Sequence, residues 1–95
     1  MKRYSKKLLK KVNSALIKAF FDTINCYKDL FSDYGKLCNM INHLNENLYP
    51  EEIEFELEAE TQDNIVLFSN DVKGLTILIT AIEYEIFINH LPVRN

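Results

Sequence analysis

The hydrophobic period of this chain changes once, at Pro50, and that change limits the folds open to it. Before Pro50, Leu8, Leu9, Val12, Leu16, Ala19, Phe20, Ile24, Tyr27, Leu30 and Phe31 recur at helical spacing from about residue 5 to 31. Ser32 or Asp33 then offers a side-chain oxygen to the free N–H groups of a new first turn. Leu37, Met40, Ile41, Leu44 and Leu48 mark a second helix, which ends before Pro50 because Tyr49 is pushed out of helical geometry.

After Pro50 the period becomes two. Glu52-Ile53-Glu54-Phe55-Glu56-Leu57-Glu58-Ala59-Glu60 alternates without interruption, as a strand with one buried face does. Thr61 to Asn64 reads as a turn and Ile65 to Phe68 as a short buried strand. Asn70 to Gly74 reads as a second turn, and Leu75 onward as a third, β-branched strand. In that last stretch the apolar positions are odd up to Ala81 and even from Ile82 to Ile88. A bulge near 81 accounts for the swap, with a short helix over 81–91 as the alternative. The expected fold is α+β, in the order α-α-β-β-β. Two N-terminal helices pack on one face of a three-stranded antiparallel β-meander.

A chain of 95 residues holds one domain with one modest core. Only two glycines are present, which leaves no glycine-rich loop to cradle a phosphate. Cys26 and Cys38 are too few for a disulfide framework, and their apolar neighbours suggest reduced thiols that behave as small hydrophobes. With His43 and His90 they show no close ligand-pair spacing, so neither a metal nor another cofactor is expected. The lysines of the first segment interrupt any signal-peptide core. Glu83, Glu85, Asn89 and His90 break the apolar run before Leu91, so a reducing, cytoplasmic setting is expected. No serine lies in a nucleophile elbow, and His43 and His90 read as surface histidines. A row of like glutamates in like surroundings is a poor acid/base pair, so an enzyme is not expected.

Charge is segregated. Residues 1–18 hold seven of the eleven basic residues and no acid, while 51–63 hold seven of the fourteen acids and no base. On a regular strand Glu52, Glu54, Glu56, Glu58 and Glu60 would share one face at about 6.6 Å spacing, a row about 26 Å long. Such a row could occupy a Lys- and Arg-lined groove in place of a phosphate backbone. Edge protection and pairing with the basic helix are the competing explanations.

These observations lead to an expected non-catalytic binding protein, an inhibitor of the immunity or anti-defence type. It would present the acidic strand to a basic groove on a larger, nucleic-acid-handling protein, and would need no small-molecule substrate. The alternative is a contact of Lys2, Arg3, Lys6, Lys7, Lys10 and Lys11 with nucleic acid or membrane. A third possibility is a protein whose role lies in assembly. The segment from Ile17 to Tyr27, apolar nearly all round, implies a homodimer or an obligate complex.

Overall fold

A computed structural model describes residues 6–49, 53–89 and 91–92 of the chain. Among these residues three helices precede the sheet: α1 (Lys6–Thr23), α2 (Asp29–Ser32) and α3 (Tyr34–Leu48). Five strands follow: β1 (Glu56–Glu60), β2 (Ile65–Asn70), β3 (Leu75–Thr80), β4 (Tyr84–Ile88) and β5 (Leu91–Pro92). They form one antiparallel meander in the order β1-β2-β3-β4-β5. The α+β class expected from the period change is therefore present, with more elements than the sequence announced.

The first helix is shorter than its apolar pattern. It ends at Thr23, and the N–H groups of Asn25 and Cys26 turn to the carboxylate of Asp29 at 2.9 and 3.3 Å. A single acidic side chain thus replaces the next helical turn, and α2 is one turn long. Asp33 caps α3, its carboxylate accepting from the N–H of Gly35 at 2.9 Å. At the other end Tyr49 is extended, as Pro50 requires of its predecessor.

The meander has two more strands than expected, and residues 84–88 are strand, not helix. The parity swap near 81 comes from a chain reversal instead of a bulge. The Thr80 N–H donates to the Glu83 carbonyl at 2.8 Å, closing a connection through Ala81 and Ile82. Ile79 then pairs with Tyr84 and Ile77 with Ile86, so odd residues of β3 share a face with even residues of β4. The β2–β3 hairpin swaps parity in the same way, pairing Val66 with Ile79 and Phe68 with Ile77. Its turn ends at Gly74, whose φ of 67° suits a residue without Cβ. Asn64, at φ 59°, serves the β1–β2 turn.

The helices cover one face of the sheet. Val12, Leu16 and Ala19 of α1 and Leu37, Met40 and Leu44 of α3 meet Phe55, Val66, Phe68, Ile77 and Ile79 in one core. Three residues expected in that core sit at its margin. Phe20 and Ile24 are half-buried against it, and Leu57 is 37% exposed on the edge strand. The opposite face carries Ile65, Leu67, Ser69, Thr76 and Leu78, all half-buried. Cys26 and Cys38 are both exposed, which corrects the expectation of small hydrophobes among apolar neighbours.

Candidate functional site

The acidic segment begins as irregular chain. Ile53 and Phe55 point into the core, while Glu54 between them is exposed. Two asparagines replace the ladder here. Asn45 of α3 accepts from the Phe55 N–H at 2.7 Å and donates to the Phe55 carbonyl at 3.0 Å. Asn70 of β2 donates to the Glu54 carbonyl at 2.8 Å and accepts from the Lys73 N–H at 2.8 Å. Backbone groups with no strand partner are thereby satisfied by side chains.

Regular pairing starts at Glu56, opposite Ser69, and Leu57 is opposite Phe68. The next pair is Ala59 with Leu67, so Glu58 is an extra residue in a bulge. Beyond it Glu60 pairs with Val66, a fully buried residue of the helix-covered face. Directly paired residues share a face, so Glu56 and Glu60 lie on opposite faces of the sheet. The Tyr34 phenol, at the start of α3, has its pKa raised first by its hydrogen bond with Cys38, and to a smaller extent by desolvation and the charge of Glu60.

The evenly spaced single-face row is thus corrected. Glu54, Glu56, Glu58 and Glu60 are all exposed along one edge, but the bulge turns the row around that edge. The sequence alternates because Ile53, Phe55, Leu57 and Ala59 are apolar, and that pattern has no mark for an unpaired residue. Glu52 lies outside the described residues, as do Lys2, Arg3 and His90. Lys6, Lys7, Lys10 and Lys11 of the basic patch are exposed on the first turns of α1. That helix packs chiefly on α3 instead of on the acidic strand.

A second feature lies at the other end of α1. Ile17, Phe21, Ile24, Tyr27, Ile82 and Tyr84 border an open groove of about 660 Å³ between the helix end and the β3–β4 turn. Tyr84 fixes its floor. Its hydroxyl donates to Asn13 Oδ1 at 2.6 Å, and its ring lies 5.4 Å from that of Phe20, which meets Tyr27 edge-on at 5.1 Å. Burial pushes the Tyr84 phenol above its usual pKa, with the nearby Tyr27 adding to the effect, so it remains a donor. Phe21 and Ile82 on the rim are 84% and 83% exposed. The all-round apolar pattern of this segment pointed to the helix face, but nothing local identified Ile82 as its neighbour.

His43 Nδ1 lies 3.9 Å from Asp22 Oδ2, both about two-fifths exposed. Among the described residues no three of His, Cys, Asp and Glu are close enough to hold a metal ion. No helix among them is long and apolar enough to cross a membrane. Compared with known proteins, the chain matches no family model, no curated protein and no solved structure.

Proposed function

We propose that this chain is a non-catalytic binding protein that uses its acidic β1 edge to engage a basic site on a larger protein. The observation that carries the reading is the concentration of Glu56, Glu58 and Glu60 on the edge strand β1, with Glu54 just before it, all four exposed. Glutamate has low strand propensity, so three of them at alternate positions of a five-residue strand need a reason beyond folding. The bulge at Glu58 interrupts the edge ladder, which disfavours recognition by strand addition and leaves side-chain contact as the available mode.

The wrapped row suits a basic groove that embraces an edge better than one that follows a straight phosphate backbone. An inhibitor of a nucleic-acid-handling protein remains the form we favour. Its partner would present Lys and Arg to both sides of β1, with electrostatics governing the association rate.

The test replaces Glu54, Glu56 and Glu58 together with Gln and titrates wild type and variant with an arginine-rich peptide at two salt concentrations. Weaker binding by several-fold per site, with reduced salt dependence and an intact fold, supports the reading. Equal affinity and equal salt dependence overturn it. Plain duplex DNA in a parallel titration tests the basic N-terminal segment. Tight DNA binding that survives the triple substitution assigns function there instead.

A further inference from the structure

Phe21 and Ile82 place two large apolar side chains almost wholly in solvent, one on each rim of the groove beside α1. Ile17, one turn before Phe21, is 39% exposed and extends the same stripe. Lys18 and Asp22 form the flank next to it, again four residues apart and both exposed. We propose that this stripe is the contact surface for a second copy of the chain, paired through the C-terminal halves of two antiparallel α1 helices.

The occupant follows from charge and symmetry. A two-fold axis normal to two antiparallel helices leaves corresponding flanks on the same side of the pair. With that axis near residues 19–20, Lys18 of one copy comes level with Asp22 of the other to within about 1.5 Å of axial rise, twice over. The same placement brings Ile17 level with Phe21 of the other copy to within about 1.5 Å. One axis therefore satisfies both the apolar stripe and the charged flank. A parallel arrangement, with its two-fold axis along the helices, would put the two Lys18–Asp22 flanks on opposite sides of the pair, where they could not meet. The groove supplies the recess for the partner's Phe21 ring, whose exposure in the isolated chain is otherwise unexplained. This contact uses neither β1 nor its glutamates, so its failure and that of the acidic-edge reading are separable.

Sedimentation of the full chain across a dilution series measures the association. The expected wild-type species has twice the 11.2 kDa chain mass and dissociates on dilution. Phe21→Asp should weaken association by about 100-fold, as loss of a central aromatic anchor does. Its thermal unfolding should be unchanged once concentration is allowed for, since the ring contributes little to the core. Lys18→Asp and Asp22→Lys should each weaken association, and the double exchange should restore most of it. A wild-type monomer at every concentration overturns the proposal, as does a dimer that Phe21→Asp leaves intact. A dimer lost in Phe21→Asp but indifferent to both single charge changes overturns the antiparallel geometry.

Discussion

Asn45 holds Phe55 by both of its backbone polar groups, accepting from the N–H at 2.7 Å and donating to the carbonyl at 3.0 Å. A helix side chain thus does for one residue what a neighbouring strand would do. From Asn45 back to Tyr34 the helix rises about 16.5 Å, and from Phe55 to Glu60 an extended chain covers about 17 Å. The two lengths match, with Asn45 against Phe55 at one end, and Glu60 at the far end of the extended stretch contributes, after Cys38 and desolvation, to the raised pKa of Tyr34.

Asn45→Ala should cost about 2–3 kcal/mol, because it removes two hydrogen bonds and strands two partly buried backbone groups. Denaturant unfolding measures the loss. Asn45→Asp keeps the acceptor, loses the donor and sets a carboxylate against the Phe55 carbonyl, so it should be no milder. A change under about 0.5 kcal/mol in both variants would show that the clamp does not stabilise the fold.

Among the described residues Phe55 and Phe68 are the two largest side chains with essentially no exposure. Either one changed to Ala should cost about 3–5 kcal/mol, most of the stability of a domain this size. Leu57→Ala, on the exposed edge, should cost clearly less. Equal losses at Leu57 and Phe55 in thermal unfolding would contradict the bulged edge.

Tyr84→Phe should cost about 1 kcal/mol by deleting the bond to Asn13 while keeping the ring against Phe20. Burial raises the folded-state pKa, so this phenol's contribution is complete below its unfolded value, about pH 10. It is lost as pH rises through the higher folded value. A pH-stability profile of the two proteins should therefore converge only at the alkaline end.

Asp29 has its pKa lowered by the N–H groups of Asn25 and Cys26, with Lys36 at 3.8 Å adding to the effect. Its carboxylate therefore contributes stability above the unfolded pKa of 3.8, and that contribution fades as pH falls through the lower folded value. Asp29→Ala should be less stable than wild type at neutral pH, with the gap closing under acid conditions. A gap independent of pH down to full protonation would remove the charged cap from the account.

The sequence reveals this fold where one signal decides the outcome. Pro50 separates helix from sheet, Asp33 starts α3, and Gly74 ends a turn at positive φ, all for local reasons visible in the residues. It hides the rest where two arrangements share a pattern. Ala81 and Ile82 carry no turn signature, neither adopting positive φ, so a tight hairpin and a bulge give the same parity change. The end of α1 at Thr23 depends on Asp29, six residues on, reaching back to free N–H groups. Glutamates at 54, 56, 58 and 60 are legible as an acidic edge. Their division between two faces is not, because it depends on how β2 pairs with them. The groove beneath Phe21 joins that residue to Ile82, 61 positions on, and needs the finished sheet to exist.

The bulge also makes one residue of the strand expendable. Leu57 pairs with Phe68 and Ala59 with Leu67, and the residue between them has no partner to lose. Deleting Glu58 would leave every existing pair in place, straighten the edge and relax its added twist. Deleting Leu57 would instead leave Phe68 without its opposite number and move a glutamate toward the core side. Loss of one codon at position 58 is thus a length change the sheet can absorb, while the same loss one position earlier is not.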